Sequence, residues 1–148
     1  MRVRDIEELD NLAISRKLKK KWVGSGSSRV VYALSPRRVI KLADSEAGIE
    51  QNAQEVKISE KYGHTGLLAR VIWYHPEYRW IVAEKARKAH RIRPRPAHLT
   101  MSHRAGILDI EHVDNWGMIG KRLVLCDYGL NEDIWFVFYA QRRGYCCI

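Results

Sequence analysis

A glycine-serine stretch, a lone strand lysine, a mid-helix glutamate and a distant asparagine-aspartate pair have side-chain types suited to handling phosphate. GSGSSRVVY, Gly24 to Tyr32, puts Gly24, Ser25, Gly26 and Ser27 before a β-branched run. Such a loop bends tightly and can turn N–H donors toward phosphate, or it can be a plain hairpin turn. In VIKLA, Val39 to Ala43, Lys41 is the single charge of an apolar strand. A lysine there must snorkel or find an anion, because an unpaired buried ammonium is costly. Glu55, in QNAQE, can supply that anion from the following helix, or lie on a solvated helix face. Asn115 and, twelve residues on, Asp127 are oxygen ligands of the kind Mg²⁺ takes; either could also be a turn residue. Two familiar phosphate loops do not fit. GSGSSR lacks the Gly-Lys-Ser/Thr ending, and VVYAL after it favours a strand where a dinucleotide fingerprint opens a helix.

In order, the glycine loop with Val31, then Lys41, Glu55, Asn115 in DNWG and Asp127 in LCDYG resemble the protein-kinase-like superfamily. The wording is similar to small kinase-like proteins of bacteriophages and mobile elements, over roughly residues 22–130. The resemblance implies an α+β kinase-like fold: an antiparallel N-lobe sheet with one main helix and a truncated C-lobe. Residues 1–86 would form an opening helix and the N-lobe, and residues 87–148 the reduced second lobe. ATP and Mg²⁺ are the implied cofactors. Gly24, Ser25, Gly26 and Ser27 would lie over the phosphates, Lys41 would hold them and Glu55 would orient Lys41. The segment Glu84 to Ala86 would receive adenine, and Asn115 and Asp127 would ligate metal.

The chain departs from that pattern in informative places. Arg29 stands at the third loop glycine, where it could crowd the phosphates or contact them. Ile110 stands five residues before the asparagine, where the family has its catalytic aspartate; Asp109 is one residue off and is the candidate base. His112, three residues before Asn115, fits a related variant. Nineteen residues follow Gly129, so the peptide-binding helices of larger kinases are not expected. The expected function is ATP/Mg-binding with possible phosphotransfer. The alternative is a pseudokinase-type protein that docks on a host or phage protein, and a third reading is a basic nucleic-acid-binding module.

These positions need a scaffold, and the composition supports one. At 148 residues and 46% hydrophobic, the chain can bury one core and has little left for a second domain. No apolar run nears the ~20 residues of a membrane span, and MRVRDIEELDNL lacks a signal-type core, so a cytoplasmic protein without membrane partners is expected. Cys126, Cys146 and Cys147 imply no disulfide framework, and the histidines show no zinc spacing. The net charge of +9 attracts nucleotides, nucleic acid or an acidic protein face. It concentrates in LKKKW, Leu18 to Trp22, and in RKAHRIRPRPAH, Arg87 to His98, whose prolines oppose helix.

The patterning predicts one helix opening at an Asp5/Glu8 capping box and running toward the lysines. Strands follow at Val23, Val30–Leu34 and Val39–Leu42, then a helix over 45–62 with Ile49, Ala53, Val56 and Ile58 inward. Strands are expected in LLARVIWYH and RWIVAEKA around a turn at Pro76 to Tyr78, with a short helix over Ser102–Leu108 and a strand over Arg122–Gly129. Ile134–Ala140 could be either, because a continuous apolar run has no diagnostic period. Trp73, Trp80, Trp116 and Trp135 read as packing residues, with Trp116 also able to buttress the Asn115 loop.

Overall fold

Alternation along the central strands sorts side chains to two faces, and those faces organise the molecule. In the computed structural model, which describes residues 1–140, the fold is α+β with an antiparallel sheet and several helices. Strands β1 (Trp22–Ser25), β2 (Arg29–Ser35), β3 (Arg38–Ala43), β4 (Val71–Tyr74) and β5 (Trp80–Glu84) form one sheet in the order β1-β2-β3-β5-β4. A three-stranded sheet follows, of β6 (Arg87–Lys88), β7 (Trp116–Ile119) and β8 (Arg122–Leu125).

Tyr32, Ile40, Leu42, Trp80 and Val82 point to one face of the larger sheet, where they pack on Ile6, Ile14 and Leu18. Those last three come from α1 (Val3–Glu7), α2 (Asn11–Lys17) and the turn after it. The single opening helix is thus two. Asp10 caps α2 by accepting from Ala13 N at 2.8 Å, and a cap there ends the preceding turn. Asp5 lies inside α1 instead of capping it, and accepts from Arg2 N. Trp22 belongs to β1 and is exposed.

The other face of the sheet is covered by α3 (Glu46–Tyr62), which Ser45 caps. Its buried residues include Gln51, Asn52, Glu55 and Ser59 beside Val56 and Ile58, whereas Ile49 and Ala53 are only half-buried. The inward face is therefore rotated toward the polar residues. The sheet beneath presents charge, so polar partners are what that surface can bury.

A second core lies under the smaller sheet, where Ile58, Leu68, Met101, Ile107, Trp116, Leu125 and Tyr128 meet. The helix here, α4 (Pro96–Arg104), starts six residues earlier than Ser102. Pro96 sits in its first turn, where the missing N–H costs nothing, and Gly106 (φ 66°) follows its end. Strand β8 stops at Leu125, because Cys126 turns its N–H to Asn115 O at 2.7 Å and its carbonyl to Lys41. Ile134–Ala140 is helical: Asn131 caps α5 (Glu132–Trp135), which continues as a wider π-turn through Ala140. Trp80 and Trp116 are buried; Trp73 is exposed, its indole N–H bonded to Glu7. Cys146 and Cys147 lie outside the described residues.

Among the described residues, no helix is long and apolar enough to cross a membrane.

Candidate functional site

Strand parity puts Arg29, Val31 and Lys41 on the α3 side of the sheet: Val31 and Lys41 are register partners, and Arg29 is two residues before Val31. On α3, Asn52 and Glu55 are three apart and so share a face. Between them forms a buried ionic cluster. Lys41 Nζ donates to Glu55 Oε2 at 2.9 Å, to Oε1 at 3.2 Å and to the Cys126 carbonyl. Arg29 Nη2 donates to Glu55 Oε1 at 2.9 Å and to Asp127 Oδ1 at 2.7 Å, while its Nη1 reaches Asn52 Oδ1 at 3.1 Å. Tyr128 N adds a further donor to Glu55.

Glu55 is wholly inaccessible, Arg29 and Lys41 nearly so, and the Asp127 side chain is half exposed at 49%. Burial pushes the Glu55 carboxyl up, but Arg29 and Lys41 outweigh it and hold its pKa near 2. Burial likewise works against the Arg29 charge, and Glu55 and Asp127 overcome it, so the guanidinium is held firmly protonated. Burial raises the Cys126 thiol to about 11, which leaves it protonated at neutral pH and without a nucleophile's reactivity.

The loop bearing Asp109 and Asn115 is fixed to the same place through backbone. Asn115 O accepts from both Cys126 N and Asp127 N, Asn115 Nδ2 donates to Asp109 O at 2.7 Å, and the Trp116 indole N–H holds Ile110 O at 2.8 Å. Asp109 adopts a left-handed φ of 61°, is exposed, and lies 3.8 Å from His112 Nε2. Ile110 packs toward the second core.

In the turn that leads to Arg29, Gly24 and Ser25 lie in β1, and Gly26 N bonds Arg29 O at 2.9 Å. Ser27 Oγ donates to Tyr139 OH, which also accepts from Gln51 Nε2, so α5's extension braces the turn. A Cβ on Gly24 or Gly26 would meet nothing within 4 Å, and neither has a positive φ, so packing does not demand glycine at either position. Glu84 ends β5 with its carboxylate on Arg70 N and Nε. Lys85 N donates to Arg37 O, and Ala86 leads into β6 against Gly117.

Lys41, Glu55, Asp127 and the backbone of Asn115 are thus brought together, with Asp109 tied in through its carbonyl. Asn52, Gln51 and Tyr139 join them unanticipated, and Arg29, expected at the phosphate loop, is turned inward onto Glu55 and Asp127. Parity alone could have put Arg29 beside Lys41. Arg29 occupies one oxygen of Asp127 and so competes there with a divalent cation, while Asn115 donates its amide nitrogen to a carbonyl. Among the described residues, no group of three or more His, Cys, Asp or Glu could hold an ion.

Gly129 shows how tightly α3 is set against this loop, since a Cβ there would drive into the Gln51 carbonyl. Gly129→Ala should lower the unfolding free energy by about 1–3 kcal/mol through overpacking. A urea melt read by tryptophan fluorescence checks it, and an unchanged midpoint would mean the loop and α3 are not rigidly apposed.

No family profile matches the sequence, and no curated protein matches it. Among solved structures, the chain is similar to "SAICAR-synthase from Saccharomyces cerevisiae complexed SAICAR", at 15% identity and a TM-score of 0.29. The match covers 45% of this chain and spans 33% of that one, a likeness too loose to fix fold detail or function.

Proposed function

We propose that the chain is a reduced protein-kinase-like protein that binds a nucleotide such as ATP at the glycine turn, Lys41 and Asp127. The carrying observation is the buried Lys41–Glu55 ion pair at 2.9 Å, set beside a half-exposed Asp127. Residues 1–86 act as the nucleotide lobe and residues from 87 onward as the reduced second lobe. Gly24 and Gly26, which the fold does not require to be glycine, leave the turn open for phosphates. The segment Glu84 to Ala86, joining the two sheets, receives the base.

The Arg29–Asp127 contact at 2.7 Å favours the binding-protein reading over the phosphotransferase one. Arg29 places a permanent cation on the carboxylate that a metal would need, and Ile110 supplies no base. The exposed Asp109 side chain lies 3.8 Å from His112 Nε2. On this account ATP binds without a divalent cation and is not turned over.

Thermal-shift titration tests this, because a ligand of the native state alone raises stability by about 2.7 kcal/mol at a hundred times its Kd. The expected result is a shift of several degrees with ATP that is the same in EDTA and in Mg²⁺. Transfer of labelled phosphate from ATP to the protein or to an extract would contradict the inactive reading.

A further inference from the structure

A cleft of about 370 Å³ beside the second sheet is lined by none of the residues of the ionic cluster. One wall is the extended segment before α4. There Arg91, Arg93 and Arg95 are exposed, while Ile92 and Pro94 between them are half-buried, and Ile92 packs on the second core. That is strand-like alternation with three guanidinium side chains on one side. The facing wall is the β7–β8 turn, with Lys121 and Arg122. No aspartate or glutamate lines the cleft, and Arg91, Arg93, Arg95 and Lys121 have no ion pair among the described residues.

The walls are built, not incidental. His98 is buried; its Nδ1 accepts from Arg95 N at 2.9 Å and its Nε2 meets Leu123 O at 2.9 Å, so it ties the arginine wall to β8. Arg122 Nη1 donates to Gly66 O at 2.9 Å, fixing the far rim.

The geometry points to a binding site for the phosphodiester backbone of a single nucleic-acid strand. Alternate residues of an extended chain recur about every 6.5–7 Å, so the three arginines form a row that can track consecutive phosphates. The far wall adds two more cations, and arginine forks suit phosphate oxygens. No Phe, Tyr or Trp lines the cleft, and the His98 ring is buried against Trp116, so bases find no stacking platform and recognition is through backbone and independent of sequence. The site shares no residue with the proposed nucleotide site.

The test is fluorescence anisotropy of the full chain with a labelled oligouridylate of about 15 nucleotides, titrated over a range of salt. Five contacts predict a log–log salt slope of about −3 to −4. The triple variant Arg91→Gln, Arg93→Gln, Arg95→Gln should bind at least about tenfold more weakly at ~0.1 M salt and lose about 2 from that slope. Its melting temperature should match wild type, since all three side chains are exposed. A control, Lys19→Gln, Lys20→Gln, Lys21→Gln, removes the same charge elsewhere and should cost less than threefold. Equal losses in both variants would overturn the site in favour of overall charge. Inorganic tripolyphosphate competing as strongly as the oligonucleotide would overturn the strand in favour of a small polyphosphate.

Discussion

Glu55→Gln should lower the unfolding free energy by about 3–5 kcal/mol, the usual cost of leaving a buried charge without its partner. In this protein the cost falls on two cations. Arg29 Nη2 and Lys41 Nζ both bond Glu55 Oε1, which also takes Tyr128 N, so a neutral amide leaves the cluster with excess positive charge in a dry place. At about 2–4 °C per kcal/mol for a chain of this size, Tm should fall by roughly 6–20 °C. The same residue sets the acid limb of stability. Its pKa is lowered from 4.5 to about 2 in the fold, so its contribution is complete above pH 4.5 and is lost as pH falls from there toward 2. Wild type should therefore lose stability steeply over that window, and Glu55→Gln should do so less. Denaturant melts from pH 7 to pH 2 check both, and parallel acid limbs would contradict the burial of a charged Glu55.

Arg29→Ala should have the second large effect, and a different one. It removes the guanidinium that bridges Glu55, Asp127 and Asn52, leaves Asn52 Oδ1 without that donor, and should cost about 3 kcal/mol. Glu55 keeps Lys41, so the loss should be smaller than for Glu55→Gln. Lysine should not rescue it, because one ammonium lacks the planar fork that reaches three acceptors. The variant also frees Asp127, whose side chain faces solvent. ATP binding that is indifferent to Mg²⁺ in wild type should become Mg²⁺-dependent in Arg29→Ala, as Asp127 gains an open oxygen for a hard cation. Isothermal titration of both proteins in EDTA and in Mg²⁺ decides; Mg²⁺-dependent binding in wild type would mean that Arg29 yields its place.

How far the sequence reaches can be judged residue by residue. The strands around Lys41 were legible because β-branched runs and Gly/Pro turns agree with the pairing, and Lys41's charge stood out in an apolar strand. The α3 face was legible only in part, at Val56 and Ile58. Apolar spacing chose Ile49 and Ala53, but the sheet beneath carries Arg29 and Lys41, and burial followed the polar partners Gln51, Asn52 and Glu55. The split between α1 and α2 was missed because Asp10 is as good a cap as Asp5, and only packing of Ile6 and Ile14 on the sheet selects it. The Arg29–Asp127 pair spans 98 positions, and no local pattern encodes it. Ile134–Ala140 stayed ambiguous until the Asn131 cap set its course.

The central proposal is that Lys41 and the glycine turn hold a nucleotide's phosphates without a metal. The most direct measurement is calorimetric titration of ATP, in EDTA, into wild type and into Lys41→Ala, with circular dichroism confirming that both are folded. The account predicts saturable binding to wild type and none to the variant. Equal affinity in the two proteins, or no binding to wild type, would contradict it.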